Sequence, residues 1–83
     1  MERDEVAKVI TDSVIRARPA LISNSIEEIL QMNIDNLALD SLDTTTLSLD
    51  IEDATQIVVE PEDVSGCETF QELLKLLLEK KSG

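Results

Sequence analysis

At 83 residues the chain is too short to divide its apolar surface between two cores, so we expect a single domain over residues 1–83. Hydrophobic residues make up 42% of the chain, but Phe70 is its one aromatic residue, which predicts an aliphatic core. Seven Lys and Arg against eighteen Asp and Glu give a net charge of −11. This charge disfavours nucleic acid and anionic membrane surfaces as partners and favours basic proteins.

The residue types that are missing limit the chemistry further. The chain has no His, which excludes Ser-His and Cys-His nucleophiles and His-containing zinc sites, so we expect no enzyme. Cys67 has no partner for an internal disulfide, and we interpret it as structural because Glu62 and Glu68 oppose a thiolate. No apolar run approaches the ~20 residues that span a bilayer, which predicts a soluble protein, and the single cysteine fits a reducing compartment, so we expect the cytoplasm. The EF-hand spacing is missing, so no metal site is predicted.

Basic residues occur only near the two ends of the chain. They are Arg3, Lys8, Arg16, Arg18, Lys75, Lys80 and Lys81. The interval between Arg18 and Lys75 contains thirteen acidic residues and no basic one. This interval is either an ordinary solvated surface or a surface that steers a cationic partner, and the sequence leaves both readings open.

The first half of the chain predicts a long helix followed by a long loop. From Asp4 to Ala17, apolar residues recur at spacings of three and four, which places them on one helix face: Val6, Val9, Ile10, Val14 and Ala17. Pro19 ends this helix. Within the loop, Ser25 and Glu28 form a capping-box pattern that predicts a short helical turn over residues 26–32.

Asp40 is a favourable N-cap for a helix over Ser41–Thr55, with Asp43 adding negative charge in its first turn. At about 100° per residue the helix has two faces. The face assigned to the core carries Leu47, Ile51 and Ala54, and a second face carries Leu42, Thr46, Leu49 and Asp53. Leu42 and Leu49 are either covered by a wide core or exposed for a partner.

The second half of the chain predicts two more helices. Residues 57–59 are β-branched and apolar, but a lone strand has no partner, so we interpret them as an extended connection. Pro61 opens a short helix through Val64, and Gly66 ends it. Thr69 and Glu72 form a capping-box pattern for the last helix, whose apolar face carries Phe70, Leu73, Leu74, Leu77 and Leu78. These elements predict an all-α, small four-helix bundle with three longer helices, a short third helix and a long first loop.

Ser41 is the residue with the clearest chemical interest. It follows Asp40 at the predicted start of a helix, where backbone amides are unpaired and the dipole favours an anion such as a phosphate ester. On local physics alone, ordinary N-capping by Asp40 or Ser41 explains the same residues.

The order and spacing of motifs along residues 6–78 resemble the acyl carrier protein family. The resemblance rests on Leu37-x-x-Asp40-Ser41-Leu42 opening a helix, followed by Leu47, Ile51, Glu52, Asp53, the apolar segment 57–59, Pro61-Glu62-Asp63-Val64 and Thr69-Phe70. Members of that family are small acidic four-helix bundles. The resemblance therefore implies the same fold as the periodicity does.

The resemblance also implies a function and a site. Ser41 would carry 4′-phosphopantetheine, transferred from coenzyme A by a phosphopantetheinyl transferase, with Asp40 and Leu42 flanking it in the motif. The chain would be a non-catalytic monomer that holds acyl intermediates as thioesters for loading, condensing or acyltransferase enzymes with basic docking patches. Contacts with these partners would fall at Asp43, Thr46, Leu49, Glu52 and Asp53.

Some positions depart from the family pattern. Ala38 stands where the motif has glycine, Thr44, Thr45 and Thr46 replace a stretch with valine and an acid, and Thr55 replaces a large apolar residue. These departures favour a discrete carrier of polyketide or other secondary-metabolite assembly over a housekeeping fatty acid carrier. Two alternatives remain open: a carrier for an aminoacyl group, and an unmodified acidic adaptor for basic proteins. Cargo contacts are predicted at Leu42, Leu47, Ile57 and Val58.

Overall fold

The structure, a computed structural model, describes residues 3–82, so the ends of the predicted domain at residues 1, 2 and 83 lie outside the described residues. Within that range the chain forms five α-helices: α1 (Arg3–Ala17), α2 (Ile26–Leu30), α3 (Ser41–Thr55), α4 (Pro61–Ser65) and α5 (Phe70–Ser82). The described residues contain no β-strand, only one isolated bridge between Asn33 and Thr69. The predicted all-α bundle is confirmed, with α1, α3 and α5 as its long helices.

The aliphatic core lies between the three long helices. From α1 it takes Val6, Ala7, Ile10 and Val14, and from α5 it takes Phe70, Leu73, Leu74 and Leu77. Val9, Ala17 and Leu78, which the periodicity places on the core faces, are half-buried at the edge. The one aromatic ring, that of Phe70, is fully buried at the start of α5.

The loop between α1 and α3 contains more regular structure than the sequence predicts. The Ser25–Glu28 capping box is present and opens α2, which ends at Leu30 rather than at residue 32. Two 3₁₀ turns flank α2, at Pro19–Ser23 and Ile34–Leu37, and no prediction anticipates them because single turns carry no periodic pattern.

Helix α3 has the predicted bounds, but the prediction that Ala54 faces the core is wrong. Ala54 is exposed, and the buried positions are Leu47, Ser48 and Ile51. Ser48 tolerates burial because its hydroxyl donates to the Thr45 carbonyl oxygen at 2.8 Å. The core face of α3 is thus rotated toward Ser48, which a hydrophobicity pattern does not identify.

Residues 57–59 form the predicted extended connection between α3 and α4. Ile57 and Val59 are buried while Val58 is 60% exposed, because alternate side chains of an extended chain point in opposite directions. Helix α5 begins with only part of its predicted cap. The Glu72 amide donates to Thr69 Oγ1, but the Glu72 carboxylate accepts from the Glu68 amide, one residue before the expected donor.

Candidate functional site

The first turn of α3 presents Ser41 to solvent. Asp40 is the N-cap, and its carboxylate accepts from the Asp43 amide at 2.8 Å. Ser41 itself is exposed, and within residues 3–82 its hydroxyl makes no hydrogen bond. Asp40 rather than Ser41 is the N-cap of α3, so the Ser41 hydroxyl is available to form a bond with another group.

The hydroxyls of Thr44 and Thr45, near Ser41 in α3, bond back to the backbone of the preceding turn. Thr44 Oγ1 donates to the Asp40 carbonyl oxygen, and Thr45 Oγ1 donates to the Ser41 carbonyl oxygen at 2.8 Å. Both hydroxyls are therefore used inside α3. Thr46 is exposed on the outer face of the helix.

A shallow cleft of about 370 Å³ adjoins Ser41 between the start of α3 and α4. The residues that line it are Leu39, Asp40, Ser41, Thr44, Thr45, Pro61, Glu62 and Ser65. The cleft gives a group attached to the Ser41 hydroxyl room to lie against the protein. An exposed hydroxyl, a helix N-terminus and an adjoining cleft together fit a phosphate-linked prosthetic group.

The backbone just before Ser41 has an uncommon conformation. Ala38 follows the second 3₁₀ turn with φ 51° and ψ 45°, in the left-handed region that glycine adopts more readily. Arg18, from the end of α1, donates to the carbonyl oxygens of Leu37 and Ala38 and to the Asp43 carboxylate. No sequence pattern indicates this role of Arg18, because its partners lie 19 to 25 positions away along the chain.

The outer face of α3 carries the exposed apolar residues that the periodicity sets apart. Leu42 is 72% exposed and Leu49 is 53% exposed, and Thr46 and Asp53 are also exposed. We call these four residues, Leu42, Thr46, Leu49 and Asp53, the outer stripe. The core covers neither Leu42 nor Leu49, and the role of the stripe as a contact surface stays a prediction.

The carboxylates of Asp43 and Glu52, two of the predicted partner contacts, contact other groups of the same chain. The Asp43 carboxylate lies 3.2 Å from Arg18 Nη2 and also accepts from the Asp40 amide at 3.5 Å. The Glu52 carboxylate accepts from the Val59 amide at 3.4 Å. Both side chains have a role within the fold, and their contacts with partner enzymes stay a prediction.

The four predicted cargo contacts do not meet in one cavity. Leu42 and Leu47 line a cavity between α1 and α3, whereas Ile57 and Val58 line another beside the end of α5. Cargo contacts at these four residues therefore stay a prediction.

Cys67 has the surroundings of a structural cysteine. The side chain is half-buried, and its thiol donates to the Asp63 carbonyl oxygen at 3.2 Å. Burial raises the pKa of the Cys67 thiol, and the nearby carboxylates of Glu72 and Asp63 raise it further. Cys67 is therefore a poor nucleophile at neutral pH.

Among residues 3–82 no helix is both long enough and apolar enough to cross a bilayer. The same residues include no group of three His, Cys, Asp or Glu side chains placed to hold a metal ion.

Comparison with known proteins gives one match. The family model described as "phosphopantetheine attachment site" matches residues 20–77, which is more than half of the chain and includes α2, α3, α4 and most of α5. No curated protein and no solved structure matches the chain.

Proposed function

The chain belongs to the phosphopantetheine-attachment-site family, whose prosthetic group is 4′-phosphopantetheine, and from this premise we propose that Ser41 is the attachment residue of an acyl carrier protein. The single observation that carries the proposal is the free, exposed Ser41 hydroxyl at the first position of α3, within the matched range. The terminal thiol of the bound group would hold an acyl intermediate as a thioester.

Other serines in the matched range fit this role less well. Ser25 accepts from the Glu28 amide in its capping box, Ser48 is buried, and Ser65 donates to the Glu62 carbonyl oxygen. Ser23 is exposed but lies in a 3₁₀ turn rather than at the start of a long helix. Ser41 alone among these five combines an exposed, unbonded hydroxyl with the first turn of a long helix, which favours an anionic phosphate.

The covalent step balances with coenzyme A as the donor. Ser41 Oγ would form a bond to the phosphorus that bears the pantetheine arm, and the pyrophosphate bond of coenzyme A would break. Adenosine 3′,5′-bisphosphate leaves, and the hydroxyl proton passes to a base of the transferase. This chain supplies the geometry: Asp40 caps the helix in place of Ser41, and the N-terminal amides of α3 offer a favourable field for the phosphate.

The test is an intact-mass measurement after incubation with coenzyme A and a broad-specificity phosphopantetheinyl transferase. We expect one pantetheinyl addition on the peptide that contains Ser41, and none in Ser41→Ala, which still has the Asp40 cap. Ser23→Ala is the matched control and should be modified like the wild type. A folded protein that stays unmodified, beside a known carrier that is modified in the same assay, would favour the unmodified adaptor instead.

We further propose that the outer stripe is where partner enzymes contact the carrier. Leu42 and Leu49 offer apolar anchors, while Asp53 and the acidic charge around it favour partners with basic patches. Asp53→Lys should lower the rate of transfer from a partner enzyme by about tenfold at low salt. Glu5→Lys, which makes the same charge change at a residue of α1 that is not part of the stripe, should leave that rate close to the wild type. Equal rates in all three proteins would contradict the steering role.

The departures from the family pattern at Ala38 and at residues 44–46 favour a polyketide or other secondary-metabolite acyl group, with fatty acyl and aminoacyl groups as the alternatives. Mass spectrometry of the protein isolated from its own host, with ejection of the loaded arm, distinguishes these three by the mass of the acyl group.

A further inference from the structure

Arg18 connects the end of α1 to the segment on both sides of Ser41. Its Nε donates to the Leu37 carbonyl oxygen at 3.1 Å, and Nη2 donates to the Ala38 carbonyl oxygen at 3.0 Å. Nη2 also lies 3.2 Å from Asp43 Oδ2, and Nη1 donates to the Ala17 carbonyl oxygen at 2.8 Å. One guanidinium therefore contacts the chain before Ser41 and the helix turn after it.

The segment that Arg18 contacts needs such support. Ala38 is in the left-handed region, where its Cβ meets the following carbonyl oxygen and raises the energy of the conformation. A strained conformation of this kind persists only when surrounding contacts hold it. In the described structure this segment is held by the two hydrogen bonds from Arg18 and by the Ala38 amide, which donates to the Asp35 carbonyl oxygen at 3.2 Å.

Asp43 extends the effect of Arg18 to the helix cap. Its carboxylate contacts Arg18 and also accepts from the Asp40 amide, while its own amide donates to the Asp40 carboxylate. Asp40 is the residue directly before Ser41. Arg18 thus acts on Ser41 from two directions, through the turn at residues 37–38 and through the cap at Asp40.

We propose that Arg18 is a positioning residue for modification of Ser41: it holds the turn at residues 37–40 in the conformation that presents the hydroxyl to the transferase. This inference rests on the proposed attachment at Ser41. Arg18 acts through the turn rather than by touching the transferase, because its side chain is only 33% exposed and its charge is paired with Asp43.

Loss of the guanidinium should lower the fraction of molecules in which the turn is competent. In Arg18→Ala we expect amide hydrogen exchange at residues 38–43 to accelerate about tenfold, because local opening there loses its opposing contacts. The KM for the carrier should rise by about fivefold with kcat nearly unchanged, since apparent affinity falls with the competent fraction. Arg18→Lys should resemble Arg18→Ala, because a lysine ammonium cannot reproduce the planar fork.

Arg16 offers a matched control two residues away. It also connects α1 to α3, through a 3.4 Å contact between Arg16 Nη1 and Asp50 Oδ2, but it is 70% exposed and no hydrogen bond joins it to residues 37–43 in the described structure. Arg16→Ala makes the same change in net charge. It should leave exchange at residues 38–43 and the KM for the carrier at wild-type values, which separates a positioning effect from a general charge effect on the encounter.

The decisive comparison uses full-length protein at a temperature where circular dichroism shows every variant folded. A wild-type KM in Arg18→Ala and Arg18→Lys would overturn the proposal, and so would unchanged exchange at residues 38–43. Equal losses in Arg16→Ala would also overturn it. If the wild type itself is not modified at Ser41, the proposed function fails and this role of Arg18 fails with it, yet the exchange data would still show whether Arg18 holds the turn.

Discussion

The starts of α3 and α4 are built from the same parts but are held differently. Each helix has an acidic residue at its third position whose carboxylate accepts from the amide of the residue before the helix, Asp43 for α3 and Asp63 for α4. Each of these carboxylates also contacts a basic residue from the end of a long helix, at 3.2 Å from Arg18 and at 2.7 Å from Lys80. The difference lies in what else the basic residue contacts.

Arg18 binds two successive carbonyl oxygens before α3, whereas Lys80 binds one carbonyl oxygen before α4, that of Val58 at 2.9 Å. The cap differs as well. The Asp43 amide donates to the side chain of Asp40 at 2.8 Å, while the Asp63 amide donates to the backbone carbonyl oxygen of Glu60 at 2.9 Å. A planar guanidinium fixes direction, and an ammonium supplies a point charge. This difference indicates that the start of α3, which carries Ser41, is held more rigidly than α4, which lies across the cleft from it.

The largest expected effect is the loss of stability in Arg18→Ala, compared with the smaller loss in Lys80→Ala. Arg18→Ala should lower the free energy of unfolding by about 2 kcal/mol, because it removes several charge-assisted hydrogen bonds and leaves the strained turn unsupported. Lys80→Ala should cost about 0.5 kcal/mol, the usual size for a partly exposed pair. Urea denaturation followed by circular dichroism measures both. Equal losses would show that the two ends are held alike.

A smaller effect is expected from relieving the strain before α3. Ala38→Gly removes a left-handed penalty of about 1–2 kcal/mol, and the greater freedom of glycine in the unfolded chain offsets about half of it, so a net gain of about 0.5 kcal/mol follows. Gln56, which ends α3 with φ 61°, is the matched position. Gln56→Gly should gain less, because it also loses the hydrogen bond from Gln56 Nε2 to the Asp53 carbonyl oxygen. A larger gain at Gln56 would contradict this account of the turn.

The smallest effect concerns pH at the start of α4. The hydrogen bond from Lys80 lowers the pKa of Asp63 below its ordinary value, and the bond from the Glu60 amide lowers it further. A lowered pKa in the folded state means that the contribution of Asp63 to stability is complete above its ordinary pKa and is lost as pH falls through the lowered one. The stability difference between wild type and Asp63→Asn should therefore be constant near neutral pH and shrink in acid. A difference that grows in acid would reverse the sign of the argument.

The sequence predicts the helices better than it predicts what connects them. Asp40 and the pattern after it predict α3 with its observed bounds, and the helical period places Leu42 and Leu49 off the core face but leaves open whether the core covers them. The prediction that Ala54 faces the core is wrong because the pattern considers hydrophobicity alone. Ser48 is buried instead, since its hydroxyl donates a hydrogen bond within its own helix.

The support of the candidate site could not be predicted in the same way. Ser41 is identified by local motif, but the contacts of Arg18 join residues 19, 20 and 25 positions apart, and they form only after the chain has folded. The left-handed conformation of Ala38 could not be predicted either. The family pattern has glycine at that position, yet the conformation of an alanine there depends on tertiary contacts.

The single aromatic ring has a practical consequence for spectroscopy. The chain lacks Trp and Tyr, so near-ultraviolet absorbance and intrinsic fluorescence are weak, and Phe70 is the one natural optical probe. Because its ring is fully buried among aliphatic side chains, its ring current should shift the methyl resonances that pack against it. Those shifted methyl signals provide a label-free report on the interior, one that a prosthetic group attached at the surface leaves in place.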